Sequence, residues 1–190
     1  MVVEADESDG SFLKLPHQIS IITNLDIEHL DYYNSFNNLI SAFENFIINL
    51  PFYGFAIINE DDMNLKKIIL KNDTRKIISY SNKNKNADVF IKKVFFKKQY
   101  SKFELKFNTP INNLSGLQSY TLKAIGLHNI YNATASIIAS LLAGVKNNYI
   151  KSALTNYIGV KRRFTYLGKV NLSNIYDDYA HHPTEILATL

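Results

Sequence analysis

The sequence predicts an α/β fold: a mainly parallel sheet flanked by helices, with a small antiparallel side sheet. Three observations predict it. Apolar runs of strand length alternate with stretches of helical periodicity from Ile19 to Tyr80. The segment Asp88 to Asn108 changes to lysine, aromatic and aliphatic residues in strand-like alternation. Four polar clusters stand directly against apolar runs, which places carboxylates, imidazoles and amides at strand or helix ends, where open α/β sheets bind ligands.

Val2 and Val3 read as a short strand ending at Glu4, and a buried strand at the first residue predicts that the segment begins inside a larger structure. Ile19 to Leu25 is a continuous apolar run of strand length. Phe36, Leu39, Ile40, Phe43, Phe46, Ile47 and Leu50 recur at helical spacing and predict an amphipathic helix. Gly54 to Asn59 predicts a second buried strand, Met63 to Leu70 a helix and Lys76 to Tyr80 a third strand, the alternation of a parallel sheet with right-handed crossovers. Asp88 to Asn108 predicts antiparallel ribbons with one wet face. Helices are expected from about Asn129 to Ala143 and, after Gly144, from about Asn147 to Tyr157. Phe164 to Val170 and Asn174 to Tyr176 predict strands of a new unit. Pro183-Thr184-Glu185 reads as a helix opening that the end at Leu190 interrupts.

Composition narrows the function. With 46% hydrophobic and 20% charged residues the 190-residue chain falls in the globular class, and no apolar run is long enough to span a bilayer. The net charge of +4 comes mainly from lysines between Lys66 and Lys106, interleaved with Ile, Phe and Asn, which reads as a solvated face and not a nucleic-acid surface. Zero cysteines exclude disulfides, thiolate metal sites and thiol catalysis. No signal peptide is visible, and no stretch reads Gly-x-x-x-x-Gly-Lys-Ser/Thr, so this segment by itself lacks a glycine-rich phosphate cradle.

Glu4, at the end of one expected strand, and His29, just past the next, could share a crevice, and a carboxylate with a neutral imidazole can hold a divalent cation. Taken singly, each also reads as a solvated loop or helix-start residue. Asp6, Glu7, Asp9, Asp26, Glu28 and Asp31 make that region acidic. Asn129 and Asn132, three apart beside His128, share one helix face and can offer donor and acceptor to a heterocycle, or simply cap the helix. Lys161-Arg162-Arg163 suits phosphate recognition or a helix C-terminus. Asp177, Asp178, Tyr179, His181 and His182 gather at a strand end before a helix start; vicinal histidines point apart, which argues against zinc.

Taken together, the segments EADESDGSFL, TNLDIEHLDYY, NLPFYG, GLHNIYNA, RRFTYLG and DDYAHHPTE resemble the Mur ligase family over nearly the whole chain, in its alanine-adding branch. The resemblance implies residues 1–160 as most of a central ATP-binding domain lacking its upstream phosphate loop, and 161–190 as the start of a Rossmann-like C-terminal domain. It implies ATP-dependent joining of L-alanine to UDP-N-acetylmuramate through an acyl phosphate in the cytoplasm, with ATP and Mg²⁺ as cofactors. It further implies Glu4 and His29 as magnesium ligands, His128, Asn129, Asn132 and Arg163 as nucleotide contacts, and Asp178, Tyr179 and His181 as a catalytic motif reaching in from the next domain. Sister ligases carry a modified lysine shortly after the His29 equivalent; no lysine occurs between His29 and Lys66, which fits the alanine-adding branch. The expected partners are these small molecules and the enzyme's remaining domains, with neither nucleic acid nor membrane, and the segment alone is expected to be inactive. The rivals are a murein tripeptide ligase of cell-wall recycling, which shares the HHP motif, and a non-catalytic remnant.

Overall fold

A computed structural model describes residues 1–71, 77–181, 183, 186 and 187. Lys76, His182 and the helix opening at Thr184 and Glu185 lie outside the described residues, as does Leu190.

Strands β1 (Ile19–Ile22), β2 (Phe55–Asn59), β3 (Ile77–Ser81), β4 (Val89–Phe96), β5 (Ser101–Ile111) and β6 (Leu114–Leu122) form one six-stranded sheet in that order. The pairs from β1 to β4 are parallel, and β4–β5 and β5–β6 are antiparallel. The antiparallel ribbon is therefore continuous with the parallel half: β4 pairs with β3 through Tyr80↔Val89 and Ser81↔Phe90 while pairing with β5 on its other edge. Asn112 and Asn113, both at positive φ (46° and 64°), make the tight turn into β6, the backbone that a two-residue hairpin with right-handed strand twist requires. Strands β7 (Thr165–Val170) and β8 (Ser173–Asp177) form a separate antiparallel pair.

Helices α1 (Leu30–Tyr33), α2 (Phe36–Ile48), α3 (Met63–Lys71), α4 (Leu127–Leu142) and α5 (Asn147–Thr155) flank the sheet, and a 3₁₀ turn spans Ser11–Lys14. Ser35 caps α2 by accepting from the Asn38 N–H at 3.2 Å, and its apolar stripe buries Leu39, Ala42, Phe46 and Ile47. Two cores result. Ala56 and Ile58 of β2 join Phe12, Leu39, Ile47, Leu65 and Ile68 on the α2/α3 side, while Ile57 points the other way to join Ile91, Phe103, Leu105, Ile137 and Ile138 under α4. This alternation is why β2 reads as an unbroken apolar run: both of its faces are covered.

Residues 1–4 form no strand and are exposed, in contrast to the expectation from Val2 and Val3. Two apolar residues with no paired neighbour gain neither ladder hydrogen bonds nor burial.

Gly54 sits where the chain enters β2. A Cβ there would lie 2.9 Å from the Gln18 carbonyl oxygen and 3.1 Å from the Leu50 and Pro51 side chains. That same oxygen accepts from Phe55 N–H at 2.9 Å, the bond that begins the β1–β2 pairing. Gly54→Ala is expected to cost about 1–3 kcal/mol, read as a lower urea midpoint; an unchanged midpoint would mean that the strand entry yields without loss.

Candidate functional site

Two clusters gather near the ends of these elements. The first is built on the segment from Glu7 to Asp9 and the turn before α1. His29 adopts a left-handed backbone (φ 54°) and its carbonyl accepts from the Tyr32 and Tyr33 N–H groups, both at 3.0 Å. Its Nε2 lies 3.8 Å from Glu7 Oε1 and 3.7 Å from Glu28 Oε2. One ligand atom from each of Glu7, Glu28 and His29 falls within 4.8 Å of the other two, and all three side chains are half-buried. The Tyr33 hydroxyl donates to the Glu7 carbonyl and fixes this approach; burial, with Tyr32 and Glu7 nearby, pushes the Tyr33 phenol up to about 12, so it stays a donor. Gly10 (φ 69°) lets the chain fold back under Tyr32, whose hydroxyl would lie 2.7 Å from an added Cβ. A small cavity of about 40 Å³ opens beside Glu7, Asn24, Asp26 and Glu28. Glu4 lies outside this trio, exposed on the extended N-terminal segment.

Two carboxylates beside an imidazole nitrogen can hold a divalent cation that keeps some of its waters.

The second cluster surrounds the start of α4. Gly126 (φ 100°) ends the preceding bend, and a Cβ there would meet the His128 ring at 2.7 Å. Asn129 Nδ2 donates to the Ile125 carbonyl at 2.8 Å and lies 3.1 Å from His128 Nε2. That second contact suits an unprotonated Nε2. Burial is the largest cause holding the His128 imidazole below its ordinary value; Asp178 opposes it and Arg163 adds to it. Asn129 and Asn132 also line a cleft of about 440 Å³ between α4 and α5, with Ser136, Ile137, Tyr149 and Tyr157 among its walls.

Because the folded value is depressed, His128 contributes stability that is fully present above about 6.5 and is lost as pH falls through the folded value. His128→Gln is therefore expected to flatten the acid limb of a melting-temperature profile below that pH; identical limbs would mean that the ring titrates as in solvent.

The segment around Asp178 folds onto the arginines. Asp178 accepts from Ala180 N–H at 2.7 Å and Phe164 N–H at 2.6 Å. The Ala180 bond leads the causes that hold its carboxyl below the usual carboxylate range, with Phe164, Arg163 and His128 contributing. Tyr179 N–H donates to the Arg162 carbonyl at 2.8 Å, and the Arg162 and Arg163 guanidinium carbons lie 4.7 and 6.0 Å from the Tyr179 ring centroid. The His181 ring stands edge-on to Tyr179 at 5.5 Å. Arg162 (φ 60°) and Phe164 (φ 49°) are both left-handed, a conformation that these bonds to Tyr179 and Asp178 hold in place. The structure thus brings His128, Arg163 and Asp178 within electrostatic reach of one another.

The sequence reading missed a third group. Asp61, in the loop after β2, accepts from Tyr131 Oη on α4 at 2.6 Å, from Asn82 N–H at 2.7 Å and from the Ser81 hydroxyl. Burial works to raise its carboxyl, but the Ser81, Tyr131 and Asn82 donors prevail and hold it below its ordinary value. The available signal was a run of three acidic residues directly after a buried strand, Glu60-Asp61-Asp62.

Residues 1–140 match the family model described as the Mur ligase middle domain. The chain belongs to the Mur ligase family. It is 42% identical, over its whole length, to the UDP-N-acetylmuramate–L-alanine ligases of Rickettsia canadensis and Methylocella silvestris. It spans 40% and 41% of those two proteins. Among solved structures it is similar to the UDP-N-acetylmuramate–alanine ligase MurC of Thermotoga maritima (TM-score 0.75, 27% identity), covering 97% of this chain and 40% of that one. It is also similar to MurF of Acinetobacter baumannii (TM-score 0.76, 25% identity), covering 94% and 38%. The Mur ligase fold accounts for the mainly parallel sheet with flanking helices and for the small two-stranded sheet. No helix among the described residues is long and apolar enough to cross a membrane.

Proposed function

We propose that this chain is the nucleotide- and cation-handling part of a cytoplasmic enzyme that joins L-alanine to UDP-N-acetylmuramate at the expense of ATP. The observation that carries this reading is the 42% identity over the full chain to relatives whose names state that reaction. The murein tripeptide alternative is not favoured: the similarity to the murein peptide ligase of Psychrobacter arcticus is 25% identity at a TM-score of 0.68.

Residues 1–160 form the central domain in this reading and 161–190 the start of the next one. The packing of α5 against α4 and β6 supports that limit, since it ties residues 147–155 to the main sheet. Glu7, Glu28 and His29 would hold Mg²⁺, with Glu4 available on the adjoining segment. Magnesium, when bound, supplies charge neutralisation for phosphoryl transfer. Asn129 and Asn132 present amide donors and acceptors to the base, and neutral His128 beside them offers an uncharged ring face. Arg163 brings positive charge to the same end of α4, while Asp178, Tyr179 and His181 lie next to it and act on the nucleotide and substrates. The joining reaction is then largely positioning and charge neutralisation.

The test is ATP-dependent phosphate release with Mg²⁺, UDP-N-acetylmuramate and L-alanine. This chain should be compared with a version completed to the full length of its relatives. Release in the completed protein that requires L-alanine, with none from the 190-residue chain, is the expected result. Release that responds to the tripeptide and not to L-alanine would transfer the assignment to the recycling ligase, and none with either acceptor would mean a remnant.

A further inference from the structure

We infer that the loop following β2 is a clamp that sets the relative placement of the two clusters, with Asp61 and Tyr131 acting as positioning residues for the nucleotide contacts. The inference rests on the reading of His128, Asn129 and Asn132 as those contacts.

One arm of the clamp runs to the cation cluster. Asn59 Nδ2 donates to the Thr23 carbonyl at 3.0 Å, Asn64 Nδ2 donates to the Leu25 carbonyl at 3.1 Å, and Asp62 Oδ2 accepts from Leu25 N–H at 3.2 Å. Thr23 to Leu25 leads directly into Asp26, Glu28 and His29. Asp62 is itself fixed, because its Oδ1 accepts from Asn64 N–H and Leu65 N–H, both at 2.9 Å, at the start of α3. The other arm is the 2.6 Å bond from Tyr131 Oη to Asp61, seventy residues apart in the chain. Tyr131 stands between Asn129 and Asn132 in the opening turns of α4.

That arm matters because the first turn of α4 has no cap of its own, although Ile130 is buried in the core beneath it. Gly126 at its N-cap supplies no side-chain hydrogen bond, no acidic residue lies in the first turn, and the Ile130 N–H to Gly126 carbonyl bond is long at 3.4 Å. A helix start without a cap frays unless tertiary contacts fix it. The phenol–carboxylate bond is such a contact, charge-assisted and partly shielded from water. It is braced from below, where the fully buried Tyr80 ring lies 6.2 Å from the Tyr131 ring. Asp61 and Asp62 are neighbours, so movement of one arm is transmitted to the other through a single peptide unit.

Tyr131→Phe keeps the ring and removes only the bond. In this chain it should raise amide hydrogen exchange at residues 130–134 by about tenfold, with exchange in β4 to β6 unchanged. Tyr120→Phe is the control, since it deletes a comparable phenol bond, 2.9 Å to Asn147, away from the loop. In the completed enzyme Tyr131→Phe should raise the KM for ATP by about tenfold, leaving kcat at saturating ATP and the KM for L-alanine within about twofold. Exchange raised throughout the chain, or no local change, would overturn the clamp. Local exchange raised while the ATP KM stays unchanged would leave the clamp standing and remove α4 as the nucleotide contact, so the two failures are separable.

Discussion

His29→Ala in the completed enzyme is expected to lower ATP-dependent phosphate release by roughly 100-fold, the scale of losing one fixed electrostatic contact to a transferring group. The imidazole is the one nitrogen donor of its trio, standing 3.8 and 3.7 Å from the Glu7 and Glu28 carboxylates. Without it, two like charges face each other across the cavity with fewer ligands for the cation that would reconcile them. The loss should be partly recovered by raising Mg²⁺, because the two carboxylates remain. The fold should persist, since His29 lies half-buried at a surface turn and outside both cores. Full activity at unchanged Mg²⁺ dependence would remove His29 from the site.

The largest stability effect is expected from Phe103→Ala, about 3–5 kcal/mol by deletion of a buried aromatic ring. Phe103 is 1% exposed and stacks on Tyr120 at 5.6 Å, and β5 sets it opposite Val94 on one side and Tyr120 on the other. Both neighbouring strands would lose a cross-strand contact together, and the core under α4 would lose a buried ring. A loss of that size is a large part of the 5–15 kcal/mol that a domain ordinarily has, so a shift of the urea midpoint should be accompanied by unfolding at lower temperature. A cost below about 1 kcal/mol would mean that the ribbon closes over the hole.

The readings that held are those carried by periodicity. The stripe from Phe36 to Leu50 and the apolar run at Gly54 to Asn59 yielded α2 (Phe36–Ile48) and β2 (Phe55–Asn59) because burial imposes the pattern directly. Leu114 to Leu122 went unread: its Ser, Gly and Gln residues carry little strand signal, and it pairs as β6 because a tight turn returns it along β5. In the acidic N-terminal run, spacing alone could not tell which carboxylate faces His29. Gly10 and the Tyr33 hydroxyl decide it by bending Glu7 inward, and these are tertiary facts. Asp61 escaped for a similar reason, since an acidic run after a strand looks like an ordinary polar turn until Tyr131 arrives from seventy residues away.

Strand β4, which runs parallel to β3 and antiparallel to β5, divides the sheet into two kinds of search problem. β4 to β6 are joined by short connections, so their ladders close between residues near in sequence and should form early in refolding. β1 to β3 must wait for α2 and α3 to be brought round as crossovers, a slower closure. Time-resolved amide protection should therefore appear first in β5 and its two partners, and β4 would then present a finished edge on which β3, β2 and β1 assemble in turn.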